Sequence, residues 1–148
     1  PDADLGEHQT LIEAIRQVPR AVVCLLSALQ FHGIGTEQPR EIWVALPAGA
    51  WVPRLEYPRL RVVRFSGDAF SKYVSKHTVS GFSIQVFTPA KTVVDCFKFR
   101  NKIGLDVALE ALRESWRRRR CTMDDLWKAA RICRMNRVMR PYLEFLTG

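Results

Sequence analysis

The stretch from Thr88 to Leu112, TPAKTVVDCFKFRNKIGLDVALEAL, limits the fold more than any other part of the chain. Thr88 is placed to N-cap a helix whose first position is Pro89, where the missing N–H is not needed and the fixed φ already suits a helix. Val93, Val94 and Phe97 give that helix one apolar face. Asn101 and Gly104 form its stop, and Leu105, Ala108, Leu109, Leu112 and Trp116 then recur at helical spacing on a second helix. Two helices joined by a hinge, each with a core side, require something flat to pack on.

The upstream half supplies it. Ile42 to Leu46 alternates between Pro39 and Pro47, and Leu60 to Phe65 does so after a connection carrying Trp51 and three prolines. Tyr73 to Val79 and Phe82 to Phe87 flank Ser80-Gly81, a two-residue hairpin turn of the primed type. The expectation is a small, mostly antiparallel sheet of about four strands, the commonest size. Before it, Glu7 to Gln17 reads as a short amphipathic helix stopped by Pro19, after a polar, frayed lead-in from Pro1 to Gly6. The run AVVCLLSALQF up to Phe31 reads as one helix buried on most sides, with Ser27 bonding back to the carbonyl four residues earlier. After the central pair, Thr122 and Asp125 form a capping-box pattern. A break falls near Asn136, and a last helix over Val138, Met139, Tyr142, Leu143 and Leu146 tolerates Pro141 only in its first turn. The layout is α+β, one domain over 148 residues ending in a basic helical region.

Charge is concentrated at that end. Between Arg113 and Arg140 stand ten basic residues against three acidic, accounting for +7 of the net +8, while the remainder holds thirteen against twelve. The candidate nucleic-acid contacts are Arg117, Arg118, Arg119, Arg120, Lys128, Arg131, Arg134 and Arg137, binding phosphate weakly and without sequence preference. From Lys128 to Arg140 the cations recur every three residues, and on one unbroken helix that period drifts around the axis; a break near Asn136 would let two halves present one basic face. The competing reading is a solvated surface or a site for an acidic protein partner.

Little points to catalysis. No acid-x-lysine pattern of the kind metal-dependent nucleases use occurs anywhere, and no G-x-S-x-G elbow surrounds Ser27. Cys24, Cys96, Cys121 and Cys133 show no paired spacing, so free, reduced thiols are expected, with no metal and no cofactor. With 47% hydrophobic and 26% charged residues, no apolar run long enough to span a bilayer and no signal segment, the chain is expected to be cytoplasmic, away from membranes. Asp95 has Lys91 four residues before it and Lys98 three after, so a surface ion pair competes with a tertiary bond that locks the helix on the sheet; the tertiary role is preferred.

The run Thr88-Pro89-Ala90-Lys91-Thr92-Val93-Val94-Asp95-Cys96-Phe97, then Arg100, then Gly104 to Leu112, resembles the C-terminal domain of AbiEi-type antitoxins, the antitoxin and autorepressor halves of type IV toxin–antitoxin systems. A second block, Cys24 to Leu29 with His32-Gly33 and then Pro39 to Trp43, matches in the right order, so the similarity covers most of residues 19–112. In that family the domain is associated with counteracting a nucleotidyltransferase-like toxin, directly or indirectly, and an N-terminal winged helix binds the operator. The resemblance therefore implies an antitoxin domain contributing to autoregulation, with Thr88, Pro89, Lys91, Asp95 and Arg100 as structural motif residues. Nothing here matches the winged helix, and the chain opens at Pro1 without a methionine, which reads as a fragment. A non-catalytic DNA-binding regulator unrelated to any toxin is the alternative.

Overall fold

A computed structural model describes residues 2–148. In chain order the elements are α1 (Asp2–Gln17), β1 (Val22–Val23), α2 (Leu25–His32), β2 (Ile42–Pro47), β3 (Leu60–Phe65), α3 (Asp68–Ser71), β4 (Val74–Val79), β5 (Phe82–Phe87), α4 (Pro89–Lys98), α5 (Arg100–Ile103), α6 (Leu105–Arg117), α7 (Met123–Ile132) and α8 (Asn136–Thr147). The α+β layout stands, but the sheet differs from the expected one. It has five strands in the order β3-β2-β1-β5-β4 and is mixed. β1 pairs antiparallel with β2 and parallel with β5, β2 pairs parallel with β3, and only the β4–β5 hairpin has the local antiparallel register expected.

The missing strand lies inside what reads as a single apolar helix. Val22 and Val23 are β-branched and fill the slot between β2 and β5, and the chain then turns sharply into α2 through Leu25 at φ 46°. Alternation decides which side each residue serves. Val22, Ala45, Val63, Phe65 and Phe87 face a core shared with α2, α4, α6, α7 and α8. Val23, Val44, Leu46, Ile84 and Val86 face a second core closed by Leu11, Ile12, Ile15 and Val18 of α1 and the turn after it. The helix expected from Glu7 thus starts at Asp2; the part of the expected lead-in on Pro1 lies outside the described residues.

Local signals elsewhere are followed closely. Thr88 caps α4 by accepting from the Lys91 N–H, with Pro89 at the first position. Thr122 and Asp125 form both bonds of the capping box on α7. Ser80 and Gly81 both take positive φ, as the primed turn requires. Two side chains depart from expectation. Ser27 does not bond back along its helix; its Oγ accepts from the Trp43 N–H at 2.8 Å and ties α2 to β2. Pro141 lies well inside α8 rather than in its first turn, on the exposed side, where a helix carries it only at the loss of one backbone bond.

Residues 113–148 are continuous with the core. Leu126, Ala129 and Ala130 of α7 and Met139 and Leu143 of α8 are buried in the same cluster as Val93 and Phe97 of α4. No helix among the described residues is long and apolar enough to cross a membrane.

Candidate functional site

Among the five motif residues, Asp95 and Lys91 are the ones that carry charge into the interior. Lys91 Nζ lies 2.6 Å from Asp95 Oδ2, with both side chains fully buried. The ammonium sits over the rings of Phe87 and Phe65, 3.8 and 4.6 Å from their centroids, so it is held by one carboxylate and two π-faces on β5 and β3. The other carboxylate oxygen accepts from the Cys133 thiol at 3.5 Å, linking α4 to the end of α7. The competing surface pair therefore has the right partner and the wrong place, and the preferred tertiary lock is made by ring faces and a thiol around that pair. Burial pushes the Asp95 carboxyl up, opposed by the Lys91 ammonium and its hydrogen bond. Arg100 donates to the Phe97 carbonyl at 2.8 Å and closes the end of α4. Nothing reaches this site from solvent, so its part is to hold the fold.

The eight candidate nucleic-acid residues divide sharply. Arg118 and Arg120 are tied back to the fold: their guanidinium groups donate to the carbonyls of Gly33 at 2.7 Å and His32 at 2.6 Å, at the end of α2, with Arg118 still exposed and Arg120 half-buried. There they satisfy orphan helix carbonyls and meet the negative end of the helix dipole. Arg118 also pairs with Glu114, and Lys128 pairs with Asp124 at 2.9 Å. Arg117, Arg119, Arg131, Arg134 and Arg137 are exposed and make no ion pair among the described residues.

These five fall into two groups, of which Arg131, Arg134 and Arg137 belong to the run from Lys128 to Arg140 expected to present one basic face across a break near Asn136. The break is at Cys133–Met135, with Arg134 at φ 58°, and α8 runs back along α7 so that Leu146 stands beside Thr122 and Met123. Arg117 and Arg119 lie at that end, whereas Arg131, Arg134 and Arg137 sit at the α7–α8 turn, about 15 Å away along the ten residues of α7.

Two of the exposed arginines hold an unusual backbone position. Arg119 follows α6 at φ 56°, with Arg120 N bonded to Ser115 O at 2.8 Å; Arg134 follows α7 at φ 58°, with Met135 N bonded to Ala130 O at 2.8 Å. Both are Schellman endings, in which the left-handed slot normally belongs to glycine. Each helix thus places a long cation where a residue without a side chain would be less strained.

Sequence reasoning passed over the surface between them. Leu109, Leu112 and Arg113 of α6 and Pro141, Tyr142, Phe145 and Leu146 of α8 line a groove of about 390 Å³. It continues past Arg113 and Leu146 to Trp116, Arg117, Arg119 and Met123. The available signal was Phe145, an apolar residue one position beyond the core stripe of α8, which is 84% exposed. A second cluster gathers all three histidines around Phe31, whose ring centroid lies 5.2, 5.6 and 4.8 Å from those of His8, His32 and His77. His32 Nε2 donates to the Phe87 carbonyl at 2.8 Å; Ser75 Oγ donates to Val86 O and so accepts from His77 Nε2.

The four thiols are free. Burial pushes Cys133 up to about 12 and Cys121 up to about 11, and also raises Cys24 and Cys96, helped at Cys24, Cys96 and Cys133 by the nearby Asp95 carboxylate. Among the described residues no group of three or more His, Cys, Asp or Glu side chains is arranged to hold a metal ion. No protein-family model matches the chain, and no curated protein matches it either.

Proposed function

We propose that the chain is a non-catalytic, cytoplasmic antitoxin domain of a type IV toxin–antitoxin system, counteracting a nucleotidyltransferase-like toxin directly or indirectly and assisting autoregulation through phosphate contacts. The observation that carries the binding part of this reading is the placement of Arg119 and Arg134. A helix ending that served stability alone would favour glycine in the left-handed slot, and both endings instead present an exposed, unpaired guanidinium. With Arg117, Arg131 and Arg137 they provide phosphate contacts and no visible base-reading element, which gives affinity without sequence preference. The antitoxin part is supported by the resemblance of the motif residues quoted above, of which Lys91 and Asp95 hold the interior side of α4.

The test is a duplex of arbitrary sequence titrated across salt concentrations. Log K is expected to fall with log salt at a slope of about −4, and Arg119→Gly and Arg134→Gly are each expected to reduce that slope by roughly one. Both changes should also raise stability, by about 0.5–1 kcal/mol, because they relieve the left-handed strain. Absence of binding at low salt, or an unaltered slope in the double variant, overturns the reading. Co-expression with a nucleotidyltransferase encoded beside the chain separates the two halves of the proposal: restored growth supports the antitoxin, and DNA binding without rescue points to a regulator unrelated to a toxin.

A further inference from the structure

The groove between α6 and α8 has a composition that phosphate binding does not explain. Its walls are apolar along most of their length, with Leu109 and Trp116 on α6 facing Tyr142 and Leu146 on α8 and Met123 closing one end. Phe145 stands on its rim with 84% of its surface in water, and Pro141 lies beside it in the interior of α8. A proline there removes a helix hydrogen bond and, being exposed, gains no packing in return, so its stiff apolar ring serves the surface and not the core. The charge lining the groove is of one sign. Arg113, Arg117 and Arg119 border it, none makes an ion pair among the described residues, and no carboxylate is among the lining side chains.

We infer that this groove is a docking site for an amphipathic helix of a protein partner, its apolar face seated between α6 and α8 and its acidic flank against Arg113, Arg117 and Arg119. The helix-in-groove mode needs an apolar trough with anchors at helical spacing, and the part of α6 that lines the groove, Leu109 to Arg117, offers a trough of about 12 Å, roughly two turns of a partner. Charge complementarity selects the occupant. A second copy of this chain would bring the same three arginines to a self-complementary face, where like charges oppose pairing. Nucleic acid would satisfy the arginines but leave Phe145, Tyr142 and Leu146 without a partner. The inference shares Arg117 and Arg119 with the proposed phosphate contacts, so the two partners compete at that end, but it does not depend on those contacts, since its anchors are apolar.

The experiment uses the full chain and a fluorescein-labelled synthetic helix with leucine and phenylalanine at helical spacing and glutamate elsewhere. A lysine-for-glutamate version and a short DNA duplex serve as comparisons. Saturable anisotropy with the acidic peptide is expected, weakened roughly tenfold or more by Phe145→Ser and by Arg113→Glu at unchanged melting temperature, with little binding of the lysine peptide. Duplex binding should be insensitive to Phe145→Ser. Equal binding of both peptides, indifference of the acidic peptide to these variants, or a dimer in sedimentation that Phe145→Ser dissolves would overturn the inference. So would duplex binding that Phe145→Ser weakens, since it would make nucleic acid the occupant. The last two results leave the phosphate reading of Arg131, Arg134 and Arg137 to its own salt titration.

Discussion

Lys91 Nζ and Asp95 Oδ2 stand 2.6 Å apart across one turn of α4 with no solvent on either side. Removing two ions from water costs several kcal/mol each, and their attraction returns that only when both are present. Asp95→Ala or Lys91→Met alone is therefore expected to lose about 3–5 kcal/mol in urea denaturation, because each strands a buried charge. The double variant Lys91→Met with Asp95→Leu should recover most of that loss. A double variant as unstable as the sum of the two single ones would mean that the two residues act independently and would contradict a coupled buried pair.

Arg118 and Arg120 are expected to behave as structural residues. Arg120→Ala should lower stability by about 1–2 kcal/mol and Arg118→Ala, more exposed to solvent, by about 0.5–1 kcal/mol, with the salt slope of duplex binding unchanged in both. Arg117→Ala should do the reverse. A change of slope at Arg120 without loss of melting temperature would contradict the bond to the His32 carbonyl.

Ser115 of α6 is fully buried and its Oγ has no hydrogen-bond partner among the described residues. An unsatisfied hydroxyl in the interior is costly, and alanine is also the better helix former, so Ser115→Ala is expected to stabilise by about 1 kcal/mol. Thermal unfolding of the single variant checks it; a lower melting temperature would mean that the hydroxyl is satisfied in solution.

His32 gives the pH dependence a direction. Burial lowers its pKa from the model-compound value of 6.5, and the nearby Arg120 and His77 add to the effect against the opposing bond to Phe87 O. Below 6.5 the unfolded chain binds a proton that the folded one resists, so this group's contribution is fully present above 6.5 and is lost as pH falls below it. Unfolding free energies compared between pH 8 and pH 5 should show a smaller acid loss in His32→Gln than in the parent. Equal losses would assign the acid sensitivity to other groups.

How much was legible follows from how far each signal reaches. The caps at Thr88 and Thr122, the Ser80-Gly81 turn and the apolar stripes of α4, α6 and α7 are written within three or four residues, and the structure follows them. The apolar stripe of α8 was legible as well, but the position of Pro141 was not, because the helix begins at Asn136, two residues before that stripe. β1 was hidden because two valines inside an apolar run have no period of their own; their strand exists only because β2 and β5 leave a slot between them.

For the candidate site the division is sharper still. Sequence alone determined that the C-terminal third carries nearly all the net charge and that Asp95 has a lysine at helical spacing. Tertiary structure decided which of those charges remain available. Arg118 and Arg120 are withdrawn by carbonyls 85 and 88 residues away, and Lys91 and Asp95 are enclosed by rings from two strands and a thiol from α7. The physical reason is that a formal charge is fixed by residue type, whereas desolvation and partnership depend on what the rest of the chain brings within a few ångströms.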